Sequence, residues 1–190
     1  MTRTTRAIAA FVAATLTTGA AIAQCPEGPD IEARLDILLD EVRAAPSERE
    51  ARLIGQRLWS LWATAPDAHA QDLLDEGMAR RAAFDLRGAL IAFDALVAYC
   101  PDYAEGYNQR AFANFIRSDF EAALPDLDRA IALQPRHVAA LAGRGLTLIS
   151  LGRVAEGQAA IRDALVFNPW LTERRFLTLP THAAPDGTEL

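Results

Sequence analysis

Three histidines (His69, His137, His182) and two cysteines (Cys25, Cys100) are the side chains of this sequence best suited to chemistry. An imidazole can serve as general base, metal ligand or pH switch; two thiols can hold a metal or close a disulfide. The spacing argues against catalysis. His69 and His137 are 68 residues apart, twice the 34-residue interval separating Pro101, Pro135 and Pro169. Both therefore fall in equivalent turns just before a helix, which favours a turn role. Two cysteines with no histidine at ligand spacing do not make a zinc site. Ser47, Ser60, Ser118 and Ser150 stand in no nucleophile elbow, and neither a glycine-rich phosphate loop nor HExxH occurs. Asp126 and Asp128 form a carboxylate pair, but on what reads as a repeating solvated face. The expectation is a non-enzyme with no catalytic residue, no cofactor and no metal.

The elements that position these residues follow from the same interval. One column of small residues reads Gly77, Ala111, Gly145, a second reads Ala89, Ala123, Gly157, and a bulky apolar column reads Phe93, Leu127, Ile161. A period of this length is the signature of stacked helix–turn–helix units, with small residues where helices must approach closely. Paired helices are predicted over roughly 70–83 and 86–99, 104–117 and 120–133, and 138–151 and 154–167. Asp85 and Asp119 stand at N-cap positions, Gly152 where a helix ends, and Pro125 is predicted to kink its helix. In the first helix of the middle unit, Tyr107, Arg110, Ala111 and Asn114 pack into the array. The opposite stripe carries Glu105, Asn108, Gln109, Phe112, Phe115 and Ile116. Its neighbours by period are Leu74, Asp75, Met78 and Arg81 before it, and Ala142, Gly143, Leu146 and Ile149 after it.

On these residues the chain resembles the tetratricopeptide repeat (TPR) family. The family pattern maps onto Tyr107, Arg110-Ala111, Asn114, Ala123, Leu127 and Pro135, onto Leu141, Arg144-Gly145, Leu148, Gly157, Ile161 and Pro169, and onto Leu73, Glu76-Gly77, Arg80, Ala89, Phe93 and Pro101. It departs at Glu76, Arg110 and Arg144, where the pattern prefers leucine. The resemblance covers residues 70–171 as three TPR units and implies an all-α, right-handed α-solenoid of antiparallel helix pairs. It also implies a concave groove for a partner polypeptide, lined by Asp75, Met78, Arg81, Glu105, Asn108, Gln109, Phe112, Phe115, Ile116, Leu146 and Ile149. Positions that carry the carboxylate clamp of chaperone-binding relatives hold Leu74, Met78, Gln109, Ala139 and Gly143 here, which argues against that ligand class. The function implied is a non-catalytic protein–protein adaptor. A self-assembling structural subunit of an envelope complex is the alternative, and an enzyme with an unrecognised site a further one. A groove filled by an element of the same chain is the competing reading of the stripe.

Composition and the N-terminus place the array. The net charge is −6, all 19 basic residues are arginine, and no basic stripe occurs, so no nucleic-acid partner is expected. Arg3 and Arg6, the apolar run from Ala7 to Leu16 and Ala21-Ile22-Ala23 read as a secretory signal over residues 1–23, leaving a periplasmic chain without stable membrane insertion. In that oxidising compartment Cys25, in a Pro-rich tail over 24–30, and Cys100 are candidates for a disulfide. Residues 31–66 read as a helical hairpin. Asp30 can cap its first helix (Ile31, Leu35, Leu38, Val42 on one face), and Ser47 with Glu50 forms a capping box for the second. The hairpin is expected to be a degenerate repeat that caps the open end of the array. Helical spacing puts at least one of Trp59 and Trp62 in a core. Residues 172–190 read as a short cap and a mobile tail, and a homo-oligomer is a possible assembly.

Overall fold

The computed structural model describes residues 25–181. The segment expected to be a secretory signal (1–23), the end of the C-terminal tail and His182 lie outside the described residues. Eight α-helices follow one another: α1 Glu32–Arg43, α2 Glu48–Trp62, α3 Ala68–Ala82, α4 Leu86–Tyr99, α5 Ala104–Ile116, α6 Phe120–Leu133, α7 Val138–Ser150 and α8 Val154–Phe167. A 3-10 segment, Thr172–Thr178, comes last. Helices α3/α4, α5/α6 and α7/α8 are the three antiparallel pairs. They stack in chain order, with α3, α5 and α7 side by side on the inner face.

The small-residue columns decide how closely the helices approach. A Cβ built on Gly157 would lie 2.6 Å from the Gly145 carbonyl oxygen, and one on Gly145 2.9 Å from that of Gly157. Helices α7 and α8 thus meet backbone to backbone, and the bulky column fills the space between, with Phe93 and Ile161 fully buried. The arginines that replace the family leucine tie units together. Arg110 bonds Asp126 through two nitrogens (2.8 and 2.7 Å) and also reaches Asp94 of the preceding pair at 2.9 Å. Arg144 repeats the inter-unit contact to Asp128 at 2.6 Å. Asp126 is therefore buried in an ion pair and only Asp128 lies on the solvated face, which corrects the expectation that both were solvated.

Each first helix ends in the same way. The amides of Asp85, Asp119 and Arg153 reach back to the carbonyls of Arg80, Asn114 and Leu148, and those of Phe84, Ser118 and Gly152 to Arg81, Phe115 and Ile149. This is a Schellman closure, which needs a left-handed residue, and φ is 62°, 62° and 78° at Phe84, Ser118 and Gly152. Phe84 is the costly choice, because a Cβ crowds the carbonyl in that conformation and its ring is 79% exposed, so little packing compensates. Phe84→Gly is expected to raise stability by about 1 kcal/mol, read as a shift in urea midpoint at unchanged slope.

The caps agree in part with their sequence reading. Ser47, Asp67 and Asp85 accept amides of Glu50, Ala70 and Gly88. Asp119 occupies an N-cap but makes no capping bond, and Asp30 accepts the Glu32 amide one residue ahead of the N-cap Ile31. Helix α6 runs unbroken through Pro125; the ring faces solvent, where the freed carbonyl can be hydrated.

The hairpin departs most from expectation. Helices α1 and α2 pack on each other but do not stack on α3 and α4 as a further repeat would. Their apolar faces (Leu35, Leu38, Leu39, Val42, Ala51, Leu58, Trp62) form a core with Val138, Phe167, Trp170 and Leu171 at the other end of the array. Arg136, in the turn before α7, pairs with Glu32 and Asp36 of α1. Glu48 approaches Arg174 at 4.0 Å. The hairpin is not an end cap; it folds back across the inner face and joins first unit to last. The N-terminal tail is tied down by a Cys25–Cys100 disulfide spanning 75 residues.

Candidate functional site

The inner face of the array has two parts, a covered polar row and an open cleft. The row centres on Glu105 in the first turn of α5, which is 1% exposed. Its carboxylate accepts from Asn108 Nδ2 at 3.0 Å, from Gln109 Nε2, and from His137 Nε2 at 2.8 Å. The tautomer follows from the other ring nitrogen. His137 is the N-cap of α7 and its Nδ1 accepts the Ala140 amide at 3.3 Å, so the ring proton sits on Nε2 and is donated to Glu105. The turn role expected for His137 is therefore real, and with both nitrogens engaged the ring has none free to act as a base. His69 differs: it lies inside α3, with its ring edge-on to Tyr99 at 4.7 Å.

The row continues toward α3. Arg81 donates to Gln109 Oε1 and lies over the Phe112 ring, 4.6 Å from its centroid. Burial holds the Arg81 pKa below the usual guanidinium value, with the Glu105 charge working the other way. At the opposite end Trp62 stacks on His137, centroids 4.5 Å apart and planes 18° from parallel, while its buried Nε1–H finds no acceptor among the described residues. Tyr103 donates its hydroxyl to the Trp62 carbonyl at 2.9 Å. Burial, followed by the charges of Glu105 and Asp75, raises the pKa of that phenol.

Beside the row lies a cleft of about 400 Å³ between α2 and the inner helices, walled by Trp59, Phe112, Phe115, Leu146 and Leu171, with Arg81 and Glu173 at its polar edges. Trp59 and Phe112 remain 42% and 48% exposed. Of the residues expected to line the groove, the structure brings together Arg81, Asn108, Gln109, Phe112, Phe115 and Leu146. Asn108 and Gln109, expected as free polar contacts, are instead buried and spend their amides on Glu105. Glu105 itself is buried against His137 and is not among the cleft walls. Met78 packs into the first unit's core, and Ile149 turns onto Gly157 of α8, because it is one helical turn beyond the close-packed Gly145. Asp75 is exposed and bonds Gln71 at 3.0 Å, and the half-buried Ile116 is not among the cleft walls.

Trp59, Leu171 and Glu173 complete the cleft from outside the three helix pairs. Trp62 is in the core, as the helical spacing required of one tryptophan; nothing in the period pointed to Leu171 or Glu173. Among the described residues no group of three or more His, Cys, Asp or Glu could hold a metal. No described helix is long and apolar enough to cross a membrane.

No family model matches the chain. Over 148 residues it is 28% identical to a TPR repeat-containing protein of Rhizobium etli, covering 77% of this chain and 66% of that one. Tetratricopeptide repeat protein 36 of Xenopus tropicalis is 29% identical over 157 residues, covering 80% and 74%. Among solved structures, the first TPR of Spaghetti (RPAP3) bound to the HSP90 peptide SRMEEVD superposes with a TM-score of 0.55 at 21% identity, covering 57% of this chain and 90% of that one. The 34-residue period, the stacked helix pairs and these likenesses agree: the chain has a TPR-like fold and is similar in sequence to tetratricopeptide-repeat proteins.

Proposed function

We propose that the chain is a non-catalytic adaptor that takes an apolar side chain of a partner polypeptide into the cleft between α2 and the inner helices. The observation that carries this is the pair Trp59 and Phe112, large aromatic rings left about half exposed on the walls of one cavity. Aromatic anchors at a small concave site are what binding hot spots require. A solved TPR neighbour described as bound to an HSP90 peptide lends general support. The cleft itself is apolar, with a single guanidinium at its edge, and suits a hydrophobic side chain rather than an acidic terminus. We infer that the adaptor works in the periplasm after removal of residues 1–23, a reading supported by Arg3, Arg6 and Ala21-Ile22-Ala23 and by the paired cysteines.

Photo-crosslinking from position 112 in the native envelope, followed by mass spectrometry, identifies the partner. Phe112→Ala and Trp59→Ala should each weaken its capture by about 2 kcal/mol and leave the melting temperature nearly unchanged. Asn108→Ala, by contrast, should lower stability, since its amide pairs inside the fold. Unaltered capture by both aromatic variants would refute the cleft as the site. Light scattering that gives a dimer protected at Phe112 would favour the self-assembling alternative.

A further inference from the structure

We propose that the outer face of α4 is an interface for a second copy of this chain, formed by two antiparallel α4 helices crossing at Ile91. The second helix of each pair carries one exposed stripe. On α4 it reads Phe84, Arg87, Ile91, Ala95, Ala98, every one exposed, with Phe84 at 79% and Ile91 at 65%. One 34-residue step gives Ser118, Glu121, Pro125, Arg129, Ala132 on α6, and the next gives Gly152, Ala155, Ala159, Asp163, Val166 on α8. Only on α4 does the stripe open on an aromatic ring and centre on a branched aliphatic side chain. Phe84 also holds a left-handed backbone where its equivalents are serine and glycine, and nothing in its own chain covers the ring. Strain retained for an exposed aromatic points to a contact outside the chain.

The stripe is complementary to itself. Arg87 and Ala95 lie four residues either side of Ile91, and Phe84 and Ala98 lie seven. A two-fold axis through Ile91 therefore sets Ile91 against Ile91 and each of the larger flanking side chains against an alanine of the other copy. The Ala98 end opens into a cavity of about 1080 Å³ between α4 and the N-terminal tail, walled in part by Pro26, Pro66, Tyr99 and Pro101. That cavity seats the Phe84 ring of the second copy. The same pairing brings Arg87 beside Asp94 of the other copy, whose side chain is 64% exposed although its Oδ1 accepts from Arg110. A membrane fits less well: Asp85, Asp94 and Asp102 border the stripe and its cavity, and they repel an anionic surface. The interface lies on the face opposite the cleft, so the dimer presents two open clefts to a partner.

One helix stripe is smaller than a standard interface, so the dimer is weak, dissociating on the order of 10 μM or above. Sedimentation velocity on the oxidised chain tests it, with mass rising toward twice the monomer between about 1 and about 300 μM. Ile91→Asp, which sets two carboxylates against each other at the axis, should raise the dissociation constant about a hundredfold. Ala132→Asp, at the equivalent exposed position to Ala98 on α6, should leave it unchanged. Phe84→Gly should weaken the dimer about tenfold while the monomer, unfolded at low concentration, gains the stability expected above. A wild type still monomeric at about 300 μM overturns the proposal, whatever other protein or lipid a photo-crosslinker at position 91 marks in the native envelope. A dimer that survives both α4 variants also overturns it. Either failure leaves the cleft reading standing, because Phe112 lies on the inner face.

Discussion

Replacing Glu105 by alanine should cost about 3–5 kcal/mol of stability, one of the two largest losses expected in this protein. One carboxylate satisfies three buried donors, from Asn108, Gln109 and His137, and each orphaned donor costs about 1–3 kcal/mol. The sum stays below the maximum because the shortened side chain leaves room for water to reach some of them. Glu105→Gln keeps the shape and one acceptor oxygen but turns an amide N–H toward existing donors, and should lose less, about 2 kcal/mol. Urea unfolding at neutral pH measures both. A loss under 1 kcal/mol for Glu105→Ala would mean that the row is not closed as described.

Cys25→Ser with Cys100→Ser should lower stability by about 4 kcal/mol, the chain-entropy value for a loop of this size, with helix content unchanged. The bond joins residues 75 apart and ties the Pro-rich tail to the end of α4, so its loss frees the tail as well as the denatured chain. The comparison is urea unfolding of the variant against the oxidised and the reduced wild type. The variant and the reduced wild type should coincide. A variant as stable as the oxidised protein would show that the tail contributes nothing to the fold.

Much of the architecture was legible because it is periodic. A residue in one unit meets residues about one interval away, and the columns Gly77, Ala111, Gly145 and Phe93, Leu127, Ile161 state those meetings directly. Arg110 and Arg144, departures from the family pattern, could be noticed for the same reason, although their carboxylate partners emerged only with the packing. Cys25 and Cys100 were paired by compartment and number. The Pro-rich tail offered no other way to dock.

The sequence by itself determined the repeat, the bounds of the helices to within a few residues, the disulfide candidates and the inner-face helices that carry Phe112 and Leu146. Only the tertiary structure decided where the hairpin goes and hence which inner-face residues meet solvent. Amphipathic α1 and α2 declare an apolar face, but nothing periodic links Glu32 to Arg136, more than 100 positions away, or Trp62 to His137. Glu105, Asn108 and Gln109 are polar types that composition assigns to the surface. They are buried because a non-local element covers them, and burial by a distant segment is a property of the assembled chain that no local pattern of residues encodes.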